Sequence, residues 1–229
     1  MSNSIDDKKK LRDYLFGFIS DNKKNLFEKN ILNRTRQLTV VLENIYQPHN
    51  ASAVLRSCDL FGVQDVHIIE NSNRYTLSEE VAMGSSKWLN MYKYNKAEDN
   101  TTACFDKLRA DGYRIVATTP HEKDVMLDEL PLDQKTALVF GTELDGLSDI
   151  AMENADAYVK IPMYGFTESF NISVSAALSM FHLSEKIRKS DIDWQLTEEE
   201  QVDIHINWAK AVIKMSDLII EEYLKKEEK

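Results

Sequence analysis

The chain has 229 residues, 43% of them hydrophobic and 29% charged, enough apolar material for one sizeable core with helical extensions. It has no run of eighteen apolar residues and no charged-then-apolar leader, which argues against a membrane span or a secretory signal. The formal net charge of −10 argues against indiscriminate nucleic-acid binding. Two cysteines, Cys58 and Cys104, form neither a paired framework nor a metal spacing, so a reducing cytoplasm is the expected setting.

In chain order, residues 5–32 read as one or two helices, with apolar residues at helical spacing through "YLFGFISDNKKNLFEKNIL". Residues 1–36 carry a local charge of +4, although the body is acidic. Lys8, Lys9, Lys10, Arg12, Lys23, Lys24, Arg34 and Arg36 are therefore the candidate phosphate contacts, against the plainer reading of a solvated helix face.

Strand-like runs then alternate with helical ones. "LTVVLENI" (38–45), "VHIIE" (66–70), "LNMYKYN" (89–95), "YRIVATT" (113–119), "TALVFGTE" (136–143) and "AYVKIPM" (157–163) are short and rich in Val, Ile, Leu and Tyr. Several are almost continuously apolar, as parallel strands covered on both faces are. Helical candidates lie between them at 50–61, about 78–86, 99–111, 148–155 and 172–189. The expected fold is α/β, a mostly parallel sheet flanked by helices, with ligands at the carboxyl ends of the strands. Residues 197–226 form a long helical pattern opened by a capping-box pair, Thr197 and Glu200, with a stripe of Trp208, Val212, Met215, Leu218 and Ile219. Three parts result: an extension over 1–36, an α/β domain over 37–190 and a helical extension over 191–229 with a charge of −6 over 190–229.

Three segments could carry chemistry. In "PHNASAVLRSC", Asn50 reads as a helix cap behind Pro48 and Arg56 as a solvated charge two turns later, or both are placed for catalysis. "GTELDG" follows the strand "ALVF", and Gly141 and Gly146 let backbone approach a ligand; it matches neither dinucleotide nor P-loop fingerprints. In "IPMYGFTESFNISVSAALSMF" (161–181), Asn171 or Ser173 caps the helix that follows, while Ala176, Ala177 and Ser179 leave room for another element to cross closely. His49, His67, His121, His182 and His205 show no metal-ligand spacing, and no G-x-S-x-G elbow is present.

Taken in order and at their spacing, "NASAVLRSCDLFGV" (50–63), "LVFGTELDGLS" (138–148) and the 161–181 segment resemble the three motifs of the SpoU/TrmH family, S-adenosylmethionine-dependent RNA ribose 2′-O-methyltransferases of the SPOUT superfamily. The resemblance covers about residues 36–190 and is closest to the tRNA-modifying TrmH branch. It implies a deep C-terminal trefoil knot, a homodimer with sites near the subunit interface, and methylation of a guanosine in tRNA. The alternatives are the same reaction on ribosomal RNA, or a non-catalytic knotted RNA-binding protein. It implies that Arg56 is catalytic, with Asn50, Glu143, Ser169 and Asn171 arranging it, the substrate and the cofactor. A guanidinium is rarely deprotonated, so oxyanion stabilisation is the easier role for Arg56, and Glu143 is expected to hold it by paired hydrogen bonds. Thr118, Gly141, Ile161 and Phe170 match cofactor-enclosing positions. The middle motif departs from the common wording "GNEGxG" at Thr142, Leu144 and Asp145.

Overall fold

A computed structural model describes residues 4–76, 78, 82, 84–120 and 125–227. Its elements run α1 (Ile5–Phe16), α2 (Asp21–Ile31), β1 (Leu38–Glu43), α3 (Pro48–Phe61), β2 (Asp65–Ile69), β3 (Asn90–Tyr94), α4 (Asn100–Ala110), β4 (Tyr113–Thr118), β5 (Val125–Met126), β6 (Lys135–Phe140), α5 (Asp149–Glu153), β7 (Ala157–Lys160), α6 (Ile172–Arg188), α7 (Glu198–Val212) and α8 (Ser216–Glu227). The helix expected at 78–86 lies largely outside the described residues, as does His121; a 3-10 turn at Ser85–Trp88 leads into β3.

The chain divides into two compact units, Thr35–Trp194 and a second built from both ends, residues 1–34 and 195–229. In the larger unit the seven strands of the described residues pair in parallel, in the order β3-β2-β1-β6-β4-β7-β5. The alternation of side chains along each strand separates two cores. Val40, Leu42, Leu138 and Phe140 face α3 and α6, packing with Val54, Leu55, Cys58, Ala176, Met180 and Leu183. Val41, Ala137 and Val139 point the other way, onto Cys104, Phe105 and Leu108 of α4 and Ala151 of α5. Helices thus cover both faces, which is why these strands read as unbroken apolar runs.

The chain builds outward from β1 through β2 to β3 and then crosses to β4. β6 afterwards inserts between β1 and β4, with Val40 opposite Leu138 and Val116 opposite the same residue. Strand order therefore reverses beside β1, and the carboxyl end of β6 opens at that reversal, where a sheet of this kind leaves a crevice. The two-residue strand β5 is an addition to the expected set, too short to register as an apolar run; it pairs Val125 with Val159.

In the terminal unit, α1 packs on α7 and α8. The capping box forms as expected, with Glu200 N–H donating to Thr197 Oγ1 at 3.3 Å and Thr197 N–H to Glu200 Oε2 at 2.8 Å. The long C-terminal helix does not. It breaks after Val212, and Met215 adopts a left-handed φ of 60° before Ser216 opens α8. The break lets Tyr223 pack on Tyr14 at 4.8 Å between ring centroids, and it dissolves the expected stripe: Trp208 is buried, whereas Met215 and Leu218 are exposed.

His67 on β2 is buried beside the rings of Tyr92 and Tyr94, with Nδ1 3.0 Å from the Tyr94 hydroxyl. Burial pushes its pKa from 6.5 down to about 4, the nearby Asp111 opposing and Lys107 assisting. The fold therefore favours neutral His67. That stability is whole above pH about 6.5 and is lost as pH falls toward 4, by about 3 kcal/mol at most. Unfolding free energy measured across this range should fall less steeply in His67→Gln than in the wild type; parallel slopes would remove His67 from the account.

Candidate functional site

The three segments singled out in the sequence meet at the reversal point. Gln47, whose side chain accepts from no backbone N–H of the helix, occupies the α3 cap position, so Asn50 is not the cap expected but lies in the first turn. Its Nδ2 donates to Gln47 Oε1 at 3.0 Å and to Glu143 Oε1 at 2.8 Å. Asn171 caps α6, its Oδ1 accepting from Ser173 N–H at 2.9 Å. The same side chain turns its Nδ2 to Asn50 Oδ1 at 3.2 Å and to Glu143 Oε1. All four amide hydrogens of the two asparagines are thereby used. Both rotamers are set by acceptors, and Glu143 Oε1 is the common one.

Glu143 stands in a tight loop. Thr142 and Gly146 exchange backbone hydrogen bonds of 2.8 and 3.1 Å, and Gly146 takes φ of 70°. A Cβ on Gly141 would lie 2.1 Å from the Gly146 carbonyl oxygen, so only glycine passes under the turn. Gly165 is different, for a Cβ there meets nothing, and no close approach requires that glycine. The far end of the loop is anchored by Glu43, fully buried at the end of β1. Its carboxylate accepts from Ser148 N–H at 2.9 Å, Ser148 Oγ at 2.8 Å and Thr101 Oγ1 at 2.6 Å. Sequence reasoning passed over Glu43, although a carboxylate closing the apolar run "LTVVLE" was the available signal.

Two cavities flank this loop. The larger, 370 Å³, is lined by Thr118, Gly141, Ile161 and Phe170, the four expected cofactor positions, and by Glu143 and Ser169. Apolar Phe140, Val159 and Met163 share its wall with Ser175 and Ser179. Ser179 Oγ is buried with no hydrogen-bond partner among the described residues, a polar atom left for an occupant; the sequence had marked Ser179 only for its size. The smaller, 180 Å³, is lined by Tyr46, Gln47, Asn50, Asn73 and Glu143 among others. Thr142, Glu143, Leu144, Asp145 and Ile172 line both.

Arg56 lies apart. It is exposed, lines neither cavity, and makes no hydrogen bond or ion pair among the described residues. Glu143, expected to clamp it, is instead held by the two asparagine amides. Beside Arg56 on α3 is Leu60, 73% exposed, and α6 adds exposed Val174, Leu178 and Phe181 at helical spacing.

The basic arm is also altered by its surroundings. Lys8 pairs with Glu199 and Asp203 at 2.9 Å each, Lys9 with Glu198 at 2.5 Å, Arg12 with Asp13 at 2.7 Å and Lys24 with Asp21 at 2.9 Å. Lys10 stands 4.0 Å from Asp7, and Lys23 lies in the first turn of α2. Arg34, expected at a phosphate, is buried with its guanidinium over the Trp208 ring, because the cation gains a π face and loses its water. Arg36 pairs with Asp65 at 2.9 Å. Among the described residues no cluster of His, Cys, Asp and Glu could hold a metal ion, and no helix is long and apolar enough to cross a membrane.

A parallel sheet whose reversal point carries a polar knot of side chains between two cavities defines a ligand-handling α/β protein of the doubly wound kind. Residues 37–181 match the model of the SpoU rRNA Methylase family, and the chain belongs to that family. It is 46% identical over 197 residues to a tRNA (guanosine(18)-2′-O)-methyltransferase of Borreliella burgdorferi, spanning 86% of this chain and 88% of that protein. A protein of the same name from Thermus thermophilus is 34% identical over 165 residues, 72% of this chain and 83% of its own. The crystal structure of the A. aeolicus TrmH/SpoU tRNA modifying enzyme superposes with a TM-score of 0.75 at 28% identity, covering 85% of this chain and 98% of that one.

Gly141→Ala should destabilise the protein by about 1–3 kcal/mol through the backbone clash, whereas Gly165→Ala should stay within about 0.5 kcal/mol. Urea unfolding of both variants checks this; equal effects would contradict the crowding described at Gly141.

Proposed function

We propose that this protein methylates a ribose 2′-hydroxyl in RNA, at a guanosine of tRNA, with S-adenosylmethionine as methyl donor. The observation that carries the proposal is the position of Glu143, Asn50 and Asn171 where the two cavities meet, in a chain similar to two enzymes named for this reaction. The larger cavity suits the donor: apolar Ile161, Val159 and Phe170 offer surface to an adenine, Ser175 and Ser179 offer hydroxyls, and Thr118, whose hydroxyl donates to the Val139 carbonyl, offers an oxygen lone pair. When bound there, the cofactor supplies an electrophilic methyl group on a sulfonium centre.

The residues of this chain then have separable tasks. Asn50 and Asn171 hold Glu143 Oε1, leaving Oε2 for the hydroxyl proton. A 2′-hydroxyl is a very weak acid, so the Glu143 carboxylate takes its proton as the oxygen attacks the methyl group, and partial negative charge develops on that oxygen during the transfer. Ser169, at the rim of the donor cavity, is assigned to orienting the substrate. Arg56 keeps its proton and stabilises charge on the oxygen.

In this reading Arg56 acts in a homodimer. Its absence from the lining of its own chain's cavities, and the exposed Leu60 on α3 and Val174, Leu178 and Phe181 on α6, support a second copy covering these helices and receiving Arg56 into its site. The crowded passage at Gly141 and the small residues Ala176 and Ser179 support the trefoil knot. Exposed ion pairs are worth about 0–1 kcal/mol, so RNA phosphates can displace the carboxylates now paired with Lys8, Lys9, Arg12 and Lys24, with Lys10 and Lys23 beside them. Arg34 is not retained in that set.

Labelled S-adenosylmethionine and total RNA test the proposal. Wild type should label the tRNA fraction; label in ribosomal RNA would change the substrate, and no label would defeat the reaction. Arg56→Ala and Glu143→Gln should each lose about 100-fold or more in activity. Dimers re-formed from an equal mixture of these two variants should regain about one quarter of wild-type activity, since half the dimers then contain one intact site. No recovery on mixing would place Arg56 in its own chain's site.

A further inference from the structure

We infer that the smaller cavity is the acceptor-nucleoside pocket, that Tyr46 is its stacking platform, and that the Asp145 carboxylate selects guanine. This inference rests on the methyl-transfer reading above. Tyr46 lies three residues past the end of β1 and is 74% exposed at the cavity, an aromatic face in water with no partner ring among the described residues. RNA bases taken out of their stack are held on such faces and read along their Watson–Crick edges.

The polar lining has a consistent sense. Asn73 donates one Nδ2 hydrogen to the Asn44 carbonyl at 2.9 Å, which leaves Oδ1 and the second Nδ2 hydrogen open. Glu143 presents Oε2, since Oε1 is occupied by the two asparagine amides. Asp145 is exposed in the loop shared by both cavities; its backbone N–H donates to Thr142 Oγ1 at 3.1 Å, and its carboxylate makes no hydrogen bond among the described residues. The open positions at Glu143 and Asp145 are thus acceptors, and the fitting occupant presents donors to them.

Guanine is the RNA base whose Watson–Crick edge sets two donors side by side, N1–H and the N2 amine, a match for the two oxygens of one carboxylate. Adenine and cytosine place an acceptor beside their amine, and uracil flanks its one donor with carbonyls; each turns an acceptor toward Asp145. With the base on Tyr46 and its donors at Asp145, the ribose is left for Glu143 Oε2. The donor cavity stands on the other side of the same loop, so methyl donor and acceptor approach from opposite sides.

Two unmodified tRNA transcripts decide the matter, one with guanosine and one with inosine at the methylated position, since inosine lacks only the N2 amine. Wild type should prefer guanosine by about tenfold in kcat/KM, one charge-assisted hydrogen bond. In Asp145→Ala and the isosteric Asp145→Asn the preference should shrink to about twofold or less, with the melting temperature retained. Tyr46→Ala should raise KM for either transcript, and Tyr46→Phe should restore it. Equal wild-type rates on the two transcripts, or an undiminished preference in both Asp145 variants, overturns the assignment while leaving methyl transfer standing. Wild type inactive on both transcripts removes tRNA as the substrate and this pocket's assignment with it.

Discussion

One oxygen atom organises the site. Glu143 Oε1 accepts from Asn50 at the start of α3 and from Asn171 at the start of α6, and so ties together three segments separated by 93 and 28 residues. Each bond is partly open to water and contributes on the order of 1 kcal/mol, modest for the stability of the whole. Their effect is positional: with every amide hydrogen of both asparagines assigned, neither side chain nor the carboxylate has a second arrangement of equal quality. The remaining carboxylate oxygen is thereby aimed without any contact to Arg56.

That arrangement is possible because of where the loop stands. β6 inserts between β1 and β4, so its carboxyl end emerges at the middle of the sheet, beside the end of β1. Glu43 uses this proximity. A buried carboxylate carries a large desolvation cost unless its lone pairs are filled, and Ser148 and Thr101 fill them. The loop carrying Glu143 is consequently held at one end by a buried charge and at the other by the crowding of Gly141 against Gly146.

The terminal unit shows how charge read along a chain differs from charge in space. The basic run over 1–36 and the acidic run over 190–229 are two features of the sequence, but Lys8 and Lys9 meet Glu198, Glu199 and Asp203 on α7. What remains of the basic arm is a set of exposed, exchangeable pairs, weak enough individually to yield to a stronger anion. Arg34 is outside that set because the ring of Trp208 has removed it from water.

Much was legible in the sequence. Apolar runs at strand length between helical spacings determine a parallel sheet with helices on both faces, since only burial on both sides tolerates β1 and β6 as written. Local signals such as the Thr197–Glu200 capping box and the Asn171 cap follow from neighbouring residues alone, and the order of three motifs marked Asn50, Glu143 and Asn171 as belonging together. Tertiary structure decided the rest: that Asn50 bonds across to Glu143 rather than capping its helix, that Glu43 anchors the loop, that α7 and α8 part at Met215, and that Arg56 stands outside both cavities of its own chain. Each depends on which residues far apart in the chain meet, or do not meet, once it is folded. Periodicity and propensity report what a residue does within its own element; which carboxylate an amide finds depends on the strand order that brings them within 3 Å.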